Sequence, residues 1–461
     1  MRYTLSFLED DYNRLITHLF DGPDEQAAYL LCGLSTSERE TRLLVRRVIP
    51  VDVSDIAERS PVHMQIRAKS FLSAMKEANT AGECFVFVHS HPADRPTHSS
   101  QDDREERKLF EVAYNRVHTP NLIHASLVFS SPEKPVGRIW LDGGSVEPIE
   151  TVRVVGRRFH FHFSGGLDHD IDTAFHDRQV RAFGPDLQPL LKRLRVGVVG
   201  AGGTGSAVIE QSIRLGIGHL LIADGGFLEK SNVSRVYGSR ASDDGVAKIK
   251  IMLRLANEIG LGTDLEILDK PITFASVLKG FRDCDAIFGC TDDEWGRSLL
   301  NSLSLAYLIP ILDLGVKINS EAGVIHSIQG RVTTLRPGKP CLFCRNRISQ
   351  ERIRAEQLAE LDPAEAASLT REGYIPELRR NDPAVIAFTT AIAASAVGEF
   401  LHYLTGFKGP DHKASEILHR FDDTAINTPG ARSTPGCNCS DARAFGRGDQ
   451  RRFLGTNWRP E

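Results

Sequence analysis

Short apolar runs of strand length alternate with stretches of helical periodicity along the chain, a pattern that predicts an α/β protein. LEDDYNRLITHLF has the spacing of an amphipathic helix, 27–32 is an apolar strand, and several strand-like runs follow around one more helix. This first domain covers 1–163, and the glycine-rich, acidic segment 164–176 is expected to be a linker. From residue 196 a buried strand, a glycine turn, a helix and a second strand succeed one another in VGVVGAGGTGSAVIEQSIRLGIGHLLIADGG, the order of a nucleotide-binding βαβ unit. A second domain, 177–441, is therefore expected to be Rossmann-like with a central, mostly parallel sheet. It continues through an apolar strand at 286–288, the buried run LIPILDLGV and the alternating GVIHSIQGRVTTLRP, which predicts antiparallel pairing. A charged stretch with helical pieces fills 345–382, and 383–405 predicts a packed helix. The basic, polar tail 442–461 is expected to be poorly ordered.

Composition narrows the partners. At 461 residues the chain has room for two or three domains, and 56 basic against 60 acidic residues leave a net charge of −4, with no polyanion-binding signature. Nucleic acid is not an expected partner. Nor is a membrane, since the N-terminus turns acidic early and the apolar stretch 384–397 is too short to span a bilayer. A cytoplasmic location is expected, and eight cysteines, four of them in two close pairs, point to metal binding rather than disulfides.

The glycine loop carries the first candidate chemistry. Gly200, Gly202, Gly203 and Gly205 let the backbone turn tightly against a phosphate, at the N-terminus of the following helix. Asp224 ends the next strand, where such an acid accepts hydrogen bonds from ribose hydroxyls. The glycines alone fit any dinucleotide-binding enzyme. Asn232, Arg235 and Lys248 then place an amide and two cations at the phosphate end, which suits ATP better than a nicotinamide. Asp292, after the strand 286–288 and before Arg297, stands where a carboxylate can hold Mg2+ against phosphate oxygens.

In the first domain FVFVHSHPADRPTHSSQDD is the informative stretch. His89 and His91, two apart at a strand end, face the same way, and Ser99 and Asp102 begin the helix that follows. Two imidazoles and one carboxylate make a three-ligand Zn2+ set with an open fourth position. The same residues also read as a capping box beside a surface histidine pair. His160 and His162 lack an acid at suitable spacing and are expected on a strand that closes the domain. Cys341 and Cys344, with Cys437 and Cys439 some ninety residues later, favour a closed structural zinc site, with two unrelated buried pairs as the alternative.

Taken together, the segment DRQVRAFG with Arg178, the glycine loop, Asp224 with SNVSR, GVAK ending in Lys248, CTDD followed by Arg297, and PCLFC resemble the ThiF, MoeB and HesA adenylyltransferases, which share their nucleotide-binding domain with ubiquitin-activating enzymes. The resemblance runs from about 177 to 439. It implies that Arg178 reaches the phosphates from a partner subunit in a homodimer, that Arg235 and Lys248 neutralise them, and that Asp292 binds magnesium. His-x-His-Pro followed by Ser-x-x-Asp resembles the JAB/JAMM (MPN) metalloprotease motif. That resemblance implies an MPN-type α/β domain with a glutamate as general base, Glu25 with Asp24 as competitor, and Ser99 donating to an oxyanion. The Cys-x-Cys of the second pair departs from the two Cys-x-x-Cys pairs usual in the adenylyltransferases.

The joint resemblance implies adenylation of the C-terminal glycine of a ubiquitin-like protein and zinc-dependent cleavage after that glycine. It further implies a bacterial ubiquitin-like conjugation system tied to phage defence, with a conjugating enzyme as partner. Activation of a sulfur-carrier protein, or a scaffold that only grips its partner, are the other readings. Ubiquitin-activating enzymes pass the glycine to a cysteine in the crossover segment, whereas 345–382 has none; Ser349, Ser368 and Thr370 are its hydroxyl alternatives.

Overall fold

The computed structural model describes every residue except 93–95, 120, 171–173, 377, 379–382, 451, 457 and 459–461. Parts of the linker, of the charged stretch and of the tail thus lie outside the described residues. The chain divides into two compact units. The first comprises Met1–Gly166, Ala306–Leu308 and Ala442–Arg452; the second comprises Leu167–Leu305, Ile309–Asp441 and Phe453–Glu461.

The first unit is built on one sheet with the strand order Arg2–Leu8, Glu40–Pro50, Ala27–Thr36, Cys84–Ser90, His124–Phe129, Pro135–Trp140, Val146–Val155, Phe159–Phe163. Arg2–Leu8 also pairs in parallel with Val146–Val155, so the sheet closes on itself. The strand of His160 and His162 pairs antiparallel with Val146–Val155. Leu5, Phe7, Leu30, Cys32, Val86 and Val88 fill one face, and the helices Ala68–Ala81 and Ser100–Arg116 cover the other, where Met75, Ala78 and Phe110 pack with Trp140 of the sheet.

Within this sheet Glu40 is 1 % exposed and is held by Thr4, Arg42 at 2.7 Å and Arg153 at 3.0 Å. Burial alone would raise its carboxyl, but the two guanidiniums win and hold it at about 2. A depressed folded-state value stabilises the fold above the ordinary carboxylate range, and that stability is lost as pH falls toward 2. The contribution is about 3 kcal/mol. Acid unfolding followed by fluorescence should therefore show a steep loss between about pH 4.5 and 2, and Glu40→Gln, less stable at neutral pH, should show a flatter limb there.

The first part of the tail packs on the first unit. Residues 442–452 belong to the first unit because backbone meets backbone: a Cβ on Gly33 would lie 2.0 Å from the carbonyl oxygen of Gly446. Asp449 accepts from the Thr36 amide at 2.7 Å, and Arg46 donates to the carbonyls of Phe445 at 2.9 Å and Arg443 at 3.1 Å. Polarity here reflects hydrogen bonding to a strand end rather than solvation. A chain ending at Asp441 would strip Arg46 of both carbonyls, so calorimetry should find its first unit melting several degrees lower, at about 2–4 °C per kcal/mol lost.

The second unit carries the sheet order Asp264–Leu268, His219–Ala223, Arg195–Val199, Ala286–Gly289, Ile311–Glu321, Val324–Leu335, Glu416–Arg420, Ala425–Asn427. The first five strands are parallel and the last three run antiparallel, as the change from continuous to alternating apolar pattern predicts. The helix Ile386–Thr405 follows Pro383 with the extended Val385 as its N-cap residue, and no helix among the described residues is long and apolar enough to cross a membrane.

Candidate functional sites

Strand Cys84–Ser90 pairs antiparallel with Ala27–Thr36, His89 facing Ala27, and His91 is fixed one residue beyond by its amide bonding to the Phe129 carbonyl at 2.8 Å. The helix Ser100–Arg116 brings Asp102 to them. Its cap is a full capping box: Ser99 Oγ accepts from the Asp102 amide at 3.2 Å, and Asp102 Oδ2 accepts from the Ser99 amide at 2.5 Å. The capping reading is thus observed, and it leaves the ligand reading of the same residues open. His89 Nε2 and His91 Nε2 lie 3.1 Å apart, 3.3 and 3.4 Å from the two Asp102 oxygens. Ligands at 2.0–2.1 Å from a tetrahedral zinc stand about 3.3 Å from one another, so the set fits that ion. Burial opposes ionisation of Asp102, yet the hydrogen bonds from His89 and His91 hold its carboxyl well below the usual range.

Glu25 precedes the strand Ala27–Thr36, buried at 8 % exposure, with its amide bonded to the Ser60 carbonyl at 3.0 Å. Burial raises its carboxyl above the ordinary value, while His89 and His91 pull the other way, so it shares the field of the metal ligands. Asp24 is one-third exposed and pairs with Arg59 at 3.6 Å. Two residues escaped the sequence reading. His98 Nε2 lies 3.4 Å from Ser126 Oγ, and burial, with Arg138 and His89, depresses its imidazole to about 2. Glu106 is buried one turn beyond Asp102. The signal was the polar run THSSQDDREE, whose spacing puts Asp102 and Glu106 on one helix face.

In the second unit the glycine loop follows strand Arg195–Val199. Gly200 turns at φ +94°, and a Cβ on Gly205 would lie 1.8 Å from the Gly200 carbonyl, so the loop folds tightly onto the start of helix Gly203–Leu215. Asp224 Oδ2 accepts from the Ala201 amide at 2.6 Å, and Oδ1 accepts from the Gly226 amide at 2.6 Å. Each oxygen keeps a second lone pair for a ribose hydroxyl. Lys248 Nζ and Asp224 Oδ1 both stand 3.0 Å from where a Gly226 Cβ would be, while Arg235 packs over Gly203 and donates to Asn232 Oδ1 at 2.6 Å. The loop, the acid and both cations therefore converge.

Asp292 is exposed after strand Ala286–Gly289, while its neighbour Asp293 is taken up by Thr291 and the Gly296 amide. Arg297 donates to the Leu314 carbonyl at 3.3 Å and faces the buried Asp313 at 3.5 Å. Arg178 is exposed on helix Asp177–Phe183.

The four late cysteines meet. Sγ distances are 3.7 Å for Cys341–Cys344 and 3.6 Å for Cys341–Cys437 and Cys344–Cys439, and all four atoms lie within 4.8 Å. Thiolates at 2.3 Å around zinc stand about 3.8 Å apart, so the four sulfurs fit one such ion and the Cys-x-Cys spacing does not prevent it. Against the cost of burial, the Thr434 amide and neighbouring thiols lower Cys344 to about 6. Cys32, Cys84 and Cys284 are buried, and burial raises the Cys290 thiol. Ser349 caps helix Gln350–Leu361, Ser368 donates to Glu372 at 3.0 Å and Thr370 to the Ala366 carbonyl at 2.8 Å.

Fold and sites together define an α/β module with a glycine loop at the end of a parallel strand, joined to a module with a His-His-Asp metal-type set. Residues 176–440 match the ThiF family, and the chain belongs to it. Residues 9–140 match the prokaryotic homologs of the JAB domain. The chain is similar to the SAMP-activating enzyme E1 of Haloferax volcanii, 28 % identical over 161 residues, 35 % of this chain and 56 % of that protein. It is also similar to the sulfur carrier protein ThiS adenylyltransferase of Bacillus subtilis, 29 % identical over 164 residues, 35 % and 46 %. The molybdopterin-synthase adenylyltransferase of Escherichia coli is 26 % identical over 186 residues, 40 % and 71 %. The chain spans about half the length of the first two relatives.

The two ligand sets predict two zinc equivalents per chain. Metal analysis of the full chain should find one equivalent lost in His89→Ala/Asp102→Ala and the other in Cys341→Ser/Cys437→Ser.

Proposed function

We propose that the chain uses ATP and Mg2+ to adenylate the C-terminal glycine of a ubiquitin-like protein and cleaves after that same glycine with zinc. The observation that carries the reading is the convergence of the glycine loop, Asp224, Arg235 and Lys248 in a chain that also holds His89, His91 and Asp102 at ligand spacing. The SAMP-activating relative supports the substrate class. Zinc at the His-His-Asp set would supply Lewis-acid activation of water. Glu25 would take and return the proton, and Ser99 would donate to the oxyanion. In the second unit Arg235 and Lys248 would neutralise the phosphates, Asp292 would hold magnesium, and Arg178 would come from the other subunit of a homodimer. A cytoplasmic bacterial conjugation system with antiphage function, and a conjugating enzyme as acceptor, is the proposed setting.

Activation of a sulfur carrier is the second reading, favoured by the ThiS and molybdopterin-synthase relatives. Pyrophosphate exchange dependent on the added carrier tests the adenylation. Lys248→Ala and Asp292→Ala should each reduce it at least about 100-fold, whereas exchange in both at the wild-type rate would discard the assigned site. Glu25→Gln should keep zinc and lose cleavage of a carrier fusion; normal cleavage would move the base elsewhere.

The acyl group would pass directly to a nucleophile on a partner. None of the eight cysteines falls in 345–382; four stand at the metal set, and Cys32, Cys84, Cys284 and Cys290 belong to the unit interiors. Mass spectrometry after incubation with ATP and carrier should find no reducible adduct. An adduct stable to thiols but sensitive to hydroxylamine would instead assign an oxyester to Ser349, Ser368 or Thr370.

A further inference from the structure

Asp102 reaches the two histidines on a helix that carries a second, buried carboxylate bonded to the sheet. Glu106, four residues on, is 2 % exposed, and its Oε2 accepts from Ser126 Oγ at 2.5 Å, Arg138 Nε at 3.1 Å, Arg138 NH2 at 2.8 Å and Trp140 Nε1 at 3.1 Å. Ser126 belongs to the strand His124–Phe129, which pairs in parallel with Cys84–Ser90, the strand of His89. Arg138 also donates to Asp103, the residue after Asp102, at 2.5 Å. The same guanidinium therefore holds the helix at positions 103 and 106. Its other carboxylate oxygen, Oε1, has no hydrogen-bond partner among the described residues and lies 3.9 Å from His98 Nε2, which is itself 3.4 Å from Ser126 Oγ.

Helix packing alone does not need this arrangement. Replacing a buried ion pair by apolar side chains of similar volume is often neutral or stabilising, so a buried carboxylate with four donors on one oxygen adds direction rather than net stability. The direction matters because Asp102 and the histidines come from different elements, and ligand spacing survives only if helix and strand keep their separation. We propose that Glu106 is the positioning residue of the metal set: it ties the helix of Asp102 to the strand beside that of His89. The proposal rests on the metal reading of His89, His91 and Asp102.

The test compares full-length wild type with Glu106→Gln, Glu106→Asp and Ser126→Ala at a temperature where all are folded, reading zinc affinity by chelator competition beside thermal melting. The relevant zinc is the equivalent that His89→Ala/Asp102→Ala removes. Glu106→Gln should weaken it about 10–100-fold, the usual effect of losing an outer partner of a metal site, with Glu106→Asp recovering part and Ser126→Ala losing less in the same direction. A helix-packing role would lower melting and leave affinity alone. Wild-type affinity in both Glu106→Gln and Ser126→Ala overturns the proposal. A wild-type chain without any zinc dependent on His89 would overturn the metal reading as well.

Discussion

The carboxylate of Asp224 is the interaction on which the nucleotide module depends. One oxygen takes the amide of Ala201 in the glycine loop and the other the amide of Gly226 at the start of the crossover, both at 2.6 Å. Charge-assisted bonds of this kind are among the stronger ones available to a backbone turn. They set the loop against the segment from which Lys248 returns, since the Lys248 amide bonds to the Gly226 carbonyl at 3.0 Å. The absence of a side chain at Gly205 allows that closure, because any Cβ there would collide with the Gly200 carbonyl. The convergence of anion-binding groups is therefore a backbone property first and a side-chain property second.

The metal-type set in the first unit follows the same logic with different parts. Register places His89 opposite Ala27, a capping box orients Asp102, and neither depends on a long flexible side chain. The cap and the ligand are not competing explanations. A carboxylate that accepts from the Ser99 amide is already ionised and pointed, which is the state a zinc ligand requires.

Much of this was legible in residues because strand ends and glycine spacings have fixed geometry. The histidine pair, the ordering of parallel and antiparallel strands, and the cations of the crossover belong to that class. What was not legible depended on contacts distant in sequence. Nothing local pairs Glu106 with Ser126, Arg138 and Trp140, nor Asp224 with an amide twenty-three residues earlier. The tail misled because Arg443 and Phe445 meet Arg46 through backbone carbonyls, which no side chain signals, while only Asp449 uses its carboxylate, on the Thr36 amide. Spacing also left the two late cysteine pairs open between one set and two, and only tertiary structure brings their sulfurs within 4.8 Å.

Cleavage and adenylation at one and the same glycine, as proposed, can be read in a single reaction. The most direct measurement gives the full chain an extended ubiquitin-like precursor together with ATP and magnesium, and follows the precursor by intact mass spectrometry. The extension should be removed first, and the trimmed carrier, ending in glycine, should then gain the mass of one AMP, with Glu25→Gln blocking both changes and Lys248→Ala only the second. AMP added to the uncut precursor, or to a carrier trimmed at another residue, would contradict the proposal.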